Sequence, residues 1–174
     1  MSEVLNLNNI KLNMVFDNKI EAIKYAGNIL VENGYVKEDY IQSMLERDKD
    51  LSVYIGNNIA IPHGMPDSES YIIKSGISII QVPDGVDFDG ELAYVIIGIA
   101  GKNNTHMEIL EKIALVCMEE ENIEIIRRAK NKEDILNIFN NFRRNSTYNY
   151  IVGNIFGNHR TCCYDWIFAN GYAL

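Results

Sequence analysis

Three histidines, His63, His106 and His159, are the side chains of this 174-residue sequence whose ordinary pKa lets them gain or share a proton near neutral pH. His63 stands in Ile59-Ala60-Ile61-Pro62-His63-Gly64. A β-like run meets a proline, which has no N–H to give to a strand ladder, and the histidine and a glycine follow. That order predicts an imidazole at a strand end with uncrowded backbone beyond it, where functional groups of α/β sheets gather. A plain Pro-His-Gly corner is the simpler alternative. His106 follows Thr105, which with Glu108 reads as a capping box, so it falls in the first turn of a helix. The free N–H groups and positive dipole end there favour an anion and disfavour the imidazolium. An exposed first-turn residue is the alternative. Two histidines at the ends of two different strands say more than either alone.

The chemistry open to this pair is narrowed by what surrounds it. Zinc takes three or four protein ligands, and no cysteine or carboxylate accompanies His63 and His106 at ligand spacing, so a metal site has weak support. No G-x-S-x-G elbow is present, which argues against a serine hydrolase of that type. Gly101-Lys102-Asn103-Asn104 lacks the P-loop pattern, which argues against nucleotide-dependent kinase chemistry. Cys117 lies in an apolar helical stretch, and the adjacent Cys162 and Cys163 suit neither a zinc pair nor an ordinary bridge.

The elements that must position the histidines follow from periodicity. Asn18 with Glu21 reads as a helix start, Ile20, Ile23, Ala26 and Leu30 recur at helical spacing, and Asn33-Gly34 stops the helix. A second helix is predicted over 37–47, with Ile41, Met44 and Leu45 on its apolar side. Val53 to Ile61 is β-like around a Gly56-Asn57-Asn58 turn and ends at Pro62. Residues 72–82 read as a strand pair or one kinked strand broken near Ser75-Gly76, with a turn at Pro83-Asp84-Gly85. Leu92 to Ala100 is nearly all apolar, which suits a central strand covered on both faces. Leu110, Ile113, Ala114 and Cys117 mark a third helix, and shorter helices are predicted over 122–129 and 132–141. The pattern is α/β in one layered domain.

Composition bounds the rest. Lys plus Arg is 16 and Asp plus Glu is 24, a formal net charge of −8, which argues against a general nucleic-acid binder. The longest apolar run, around Ala93 to Gly101, falls well short of the ~20 residues a spanning helix needs. The first residues carry no basic stretch ahead of an apolar one, so no signal peptide is predicted, and with few cysteines the expected location is a reducing cytoplasm. The character changes after Phe142. Residues 143–174 lack Lys and Glu and hold the single Trp, Cys162, Cys163 and His159. They read as a segment separate from a 1–142 domain, either a disordered or partner-binding tail or a stretch from a shifted or read-through reading frame.

The string Ile55-Gly56-Asn57-Asn58-Ile59-Ala60-Ile61-Pro62-His63-Gly64 resembles the phosphorylation-site signature of the mannitol/fructose class of enzyme IIA in the bacterial PEP-dependent sugar phosphotransferase system. Asp48 fills the acidic or amide place upstream of it. Gly34-Tyr35-Val36, Met44 to Asp48, Ser75 to Ser78 and Gln81 to Val86 resemble further family segments in order. Gly98-Ile99-Ala100-Gly101-Lys102-Asn103-Asn104-Thr105-His106 resembles the mannitol branch around its second histidine. The likeness covers about residues 3–140. It implies a single domain with a mixed sheet flanked by helices on both faces. It implies that His63 takes a phosphoryl group from the phosphohistidine of HPr and passes it to a cysteine of the enzyme IIB domain of the mannitol permease. Arg47 matches the family's helix-end arginine and His106 its second active-site histidine, and the resemblance gives both the task of stabilising the phosphoryl group. No metal or cofactor is implied, and contact with the membrane is only indirect, through the permease. His159 has no counterpart. A regulatory enzyme IIA of the nitrogen or fructose branch, acting as a phosphorylation-dependent binding module, is the alternative.

Overall fold

The computed structural model describes residues 4–103 and 105–141. The elements run β1 (Ile10–Lys11), α1 (Lys19–Glu32), α2 (Asp39–Asp50), β2 (Tyr54–Gly56), β3 (Ile59–Ala60), β4 (Gly76–Phe88), β5 (Glu91–Ala100), α3 (Thr105–Cys117), α4 (Glu120–Arg128) and α5 (Lys132–Asn141). The strands form one 5-stranded sheet in the order β1-β4-β5-β3-β2. β1 lies parallel to β4 and β3 parallel to β5, while the β4–β5 and β2–β3 pairs are antiparallel. The segment beyond Phe142, with His159, Cys162 and Cys163, lies outside the described residues.

Alternation along the central strands explains the layers. Ile77 and Ile79 of β4 and Val95, Ile97 and Ile99 of β5 pack with Ile109, Leu110, Ile113, Ile126 and Phe139 of α3, α4 and α5. Ile80, Val82, Ile96 and Ala100 face the other way and pack with Ala22, Ile23, Ala26, Leu30 and Met44 of α1 and α2. Successive side chains of a strand point to opposite faces, so a strand apolar at every position needs a cover on each side. The mixed sheet with helices on both faces is therefore the expected one.

Local signals are kept in part. The Asn18 side chain accepts the Glu21 N–H at 3.0 Å, but Glu21 reaches back to the N–H of Asp17 and not to that of Asn18. Past Asn33, Gly34 N–H and Tyr35 N–H close on the carbonyls of Val31 and Leu30, the double bond of a Schellman end. Thr105 is the first residue of α3 rather than its cap, and its hydroxyl donates to the Lys102 carbonyl at 2.7 Å.

Two expectations are corrected. Pro83-Asp84-Gly85 is no turn between strands. It lies inside β4 as a bulge, where the register slips between Gln81↔Val95 and Val86↔Ala93. Tyr94 sits opposite the bulge, with the Arg127 guanidinium 3.7 Å above its ring. The reversal comes later, at Asp89 and Gly90, whose φ angles of 58° and 100° belong to a two-residue hairpin. Pairing with β5 also outlasts Pro62, because a proline keeps its carbonyl. That oxygen accepts the Ile99 N–H at 2.9 Å, and His63 lies in a bridge with Ile99.

Candidate active site

The site forms beside the C-terminal end of β5, where the last turns of α2, the chain from Ile61 to Met65 and the first turn of α3 converge. The structure brings His63, Arg47 and His106 together there. His63 is fully buried. Its Nδ1 lies 2.8 Å from the Ile61 carbonyl oxygen. A carbonyl only accepts, so Nδ1 carries the proton and Nε2 keeps the lone pair. Nε2 in turn accepts the Nε–H of Arg47 at 3.3 Å. Both neighbours therefore select one tautomer.

Burial lowers the His63 pKa from its ordinary value to about 3; the Ile61 hydrogen bond opposes this, and the charges of His106 and Arg47 add to it. The ring is neutral throughout the physiological range. His106 is the second residue of α3, and its ring centroid lies 5.4 Å from that of His63 with the planes inclined by 46°. Burial lowers its pKa to about 4. The close start of α3 depends on Gly101: a Cβ there would strike the backbone and Cβ of His106.

Arg47 lies in the last turn of α2 and is 6% exposed. Its Nη1 is 3.6 Å from the exposed Asp50 carboxylate. A guanidinium held this far inside, with one N–H on a lone pair, keeps a fixed positive charge beside Nε2. Asp48, the next residue, turns away from the histidines. Its carboxylate accepts the Val53 N–H and pairs with Lys19 Nζ at 2.8 Å. Lys19 also holds Asp89 at 2.6 Å. Burial opposes the ammonium charge there, but the two carboxylates outweigh it and raise the Lys19 pKa. This network ties the end of α2 to α1 and to the β4–β5 hairpin.

Reading the sequence missed two residues. Tyr40 accepts the Gly64 N–H at 3.0 Å and donates to the Ile99 carbonyl at 2.7 Å. Ser43 accepts the Met65 N–H at 2.8 Å. Both are buried on the α2 face that carries Arg47. Polar residues on a stripe shared with Met44 were the available signal. The predicted apolar side holds only in part, since Ile41 and Leu45 are half-buried.

Two neutral, buried imidazoles make the fold acid-sensitive. Below about pH 6.5 the unfolded chain binds protons that folded His63 and His106 refuse, so stability falls with pH until the folded pKa values near 3 and 4 are reached. Each group costs up to ~1.4 kcal/mol per pH unit in that window. Denaturant titrations at pH 7 and 5 should show a smaller loss for His63→Gln than for the unaltered chain. An equal loss would contradict the burial account.

Residues 3–142 match the family model for the phosphoenolpyruvate-dependent sugar phosphotransferase system, EIIA 2. The chain belongs to that family. Relatives of this EIIA include the mannitol-specific phosphotransferase enzyme IIA component of Bacillus subtilis strain 168, 54% identical over 139 residues that span 79% of this chain and 97% of the relative. The component of the same description from Geobacillus stearothermophilus is 55% identical over 138 residues, 79% of this chain and 95% of the relative. The crystal structure of IIA mannitol from Escherichia coli superposes with a TM-score of 0.73 at 34% identity, covering 78% of this chain and 98% of that one. Enzyme IIAMTL in its complex with phosphorylated enzyme IIBMTL from Escherichia coli gives a TM-score of 0.73 at 33% identity, covering 78% of this chain and 96% of that one. The role of this EIIA is phosphotransfer within the phosphotransferase system. Among the described residues, no helix is long and apolar enough to cross a membrane. Nor do three or more His, Cys, Asp or Glu residues gather among them where they could hold a metal ion.

Proposed function

We propose that this EIIA is the mannitol-specific component, that Nε2 of His63 is its phosphoryl carrier, and that HPr is the donor and the mannitol enzyme IIB domain the acceptor. The observation that carries the reading is the pairing of a buried, neutral His63 with Arg47: Nδ1–H rests on the Ile61 carbonyl and Nε2 faces the guanidinium. The lone pair of Nε2 attacks the phosphorus of phospho-HPr. The donor's P–N bond breaks, and its imidazole keeps the electron pair. His63 retains its Nδ1 proton, so the phosphorylated ring is positive and the Ile61 carbonyl supports it. Arg47 loses its lone-pair acceptor as the N–P bond forms and turns its N–H groups to the phosphoryl oxygens. A cysteine thiolate of IIB then attacks phosphorus, and His63 leaves as a neutral imidazole, which is a far better leaving group than an imidazolate. Such transfer asks the protein for position and charge stabilisation more than for covalent help.

His106 stands beside the His63 ring, where the first turn of α3 offers a positive dipole end to the phosphoryl group. Its role is to orient and to spread charge. The acidic balance suits donors and acceptors with basic docking faces. The site works at the inner face of the membrane, in the cytoplasm, where IIB and the IIC permease present the acceptor.

The test uses purified enzyme I, HPr and PEP with either a mannitol or a fructose IIB. Phosphate reaching the mannitol IIB at least ~10-fold faster is the expected result, a preference worth about 1.4 kcal/mol. Equal rates would remove the sugar assignment. We also assign this activity to residues 1–142, since the family match ends at residue 142. A chain ending at Phe142 should accept phosphate at the full rate, and a loss beyond ~10-fold, about 1.4 kcal/mol in the barrier, would place part of the site in 143–174.

A further inference from the structure

α2 grips three consecutive residues of the nucleophile's turn. Arg47 holds His63, Tyr40 holds Gly64 and Ser43 holds Met65. Positions 40, 43 and 47 share one face of a helix, so a single rigid element sets the whole turn. Tyr40 occupies a particular place in this grip. A parallel ladder with His63 opposite Ile99 calls for two bonds, Ile99 N–H to the Pro62 carbonyl and Gly64 N–H to the Ile99 carbonyl. The first is present at 2.9 Å. At the second, the Tyr40 hydroxyl stands between the two groups, accepting from Gly64 at 3.0 Å and donating to Ile99 at 2.7 Å. The ladder is thus wedged open by one oxygen, directly after the histidine.

We propose that Tyr40 is a positioning residue for phosphoryl transfer, its hydroxyl set between Gly64 and β5 so that the chain just beyond His63 stands off the strand and Nε2 of His63 is presented to Arg47. This rests on the reading of His63 as the phosphoryl carrier. The packing around the wedge is tight. Tyr40 is 2% exposed, and a Cβ on Gly64 would strike the Tyr40 ring and the Ser68 hydroxyl. Gly64 therefore lets the chain lie against the tyrosine, and the hydroxyl sets how far it stands off the strand. Without that oxygen the Gly64 N–H and the Ile99 carbonyl can close on each other. The ladder then continues past His63, and the ring swings with its backbone away from the guanidinium.

Tyr40→Phe keeps the ring and removes only the wedge. Two measurements go together, both with the full chain. Rapid-quench kinetics reads phosphoryl transfer from phospho-HPr, and 15N NMR at pH 7 reads the tautomer of the His63 ring. The unaltered protein should show one tautomer, protonated at Nδ1. Tyr40→Phe should keep that tautomer but shift the Nε2 resonance as the Arg47 hydrogen bond is lost, and transfer about 10- to 100-fold more slowly at unchanged KM for phospho-HPr. Gly64→Ala, whose Cβ would strike the Tyr40 ring and displace the same turn, should give the same two changes. A Tyr40→Phe rate within about twofold of the unaltered chain overturns the proposal. So does a slow rate with an unchanged Nε2 resonance, since the Arg47 contact is then intact and Tyr40 is a folding residue only. His63→Ala measured alongside separates the two levels. Phosphate retained by His63→Ala removes the carrier assignment and this proposal with it. Phosphate lost there, with an unimpaired Tyr40→Phe, overturns the positioning role alone.

Discussion

His63→Ala is expected to take up no acid-labile phosphate from PEP, enzyme I and HPr, while keeping the fold. The effect is all-or-none because the reaction needs a lone pair on a ring nitrogen, and no neighbour replaces it. His106 is 5.4 Å away, centroid to centroid, and is carried by a different element, α3. The guanidinium cannot attack at any working pH. Removing the ring leaves a cavity at a fully buried position and so costs about 2–4 kcal/mol of stability, as large-to-small core substitutions do. His63→Gln, which refills much of the volume, separates lost chemistry from lost packing. It should be as inactive as the alanine variant and closer to the unaltered chain in thermal unfolding. Phosphate appearing in either variant at more than a trace would place the carrier elsewhere.

Arg47→Gln is expected to slow phosphoryl transfer by about 10²- to 10³-fold, roughly 3–4 kcal/mol of transition-state stabilisation, the magnitude of losing one well-aimed charged donor. As the N–P bond forms, Nε2 gives up the lone pair that accepts the Arg47 Nε–H at 3.3 Å, and the only group arriving at that point is the phosphoryl. Glutamine supplies a donor without charge. Arg47→Lys supplies charge without the planar set of N–H groups, and it should recover only part of the rate. Quench-flow transfer from phospho-HPr checks the order: unaltered fastest, lysine next, glutamine slowest. Lysine matching arginine would show that charge alone matters, and glutamine matching arginine would remove Arg47 from the site.

Much of this is legible in the sequence, for reasons that differ by residue. His63 announces itself because the information is contiguous: a β-like run, a proline and a glycine enclose it. The layered α/β fold is likewise local, since β5 is apolar at nearly every position and so calls for cover on both faces. Arg47 was legible only through resemblance, because a helix-end arginine is by itself an ordinary surface cation, and its contact with His63 spans sixteen residues. Tyr40 and Ser43 were hidden by the same distance. Each looks like a face residue of a helix until the turn from His63 to Met65 is laid against it. The turn assigned to Pro83–Gly85 failed through competition. Those residues have turn chemistry, but the ladder between β4 and β5 is long enough to absorb them as a bulge. Asp89-Gly90, a strong hairpin dipeptide, marked the true reversal and lay in plain view. Asp48 fills the acidic place upstream of the signature, but its partner is Lys19, a contact that ties α2 to α1.

The central claim is that one nitrogen, Nε2 of His63, carries the phosphoryl group. It is tested most directly by 15N–1H and 31P NMR of the ring-labelled protein after phosphorylation by PEP, enzyme I and HPr. The account predicts a single phosphohistidine at residue 63, with phosphorus coupled to Nε2 and the proton still on Nδ1 beside the Ile61 carbonyl. Phosphorus on Nδ1, or on His106 or His159, would contradict it.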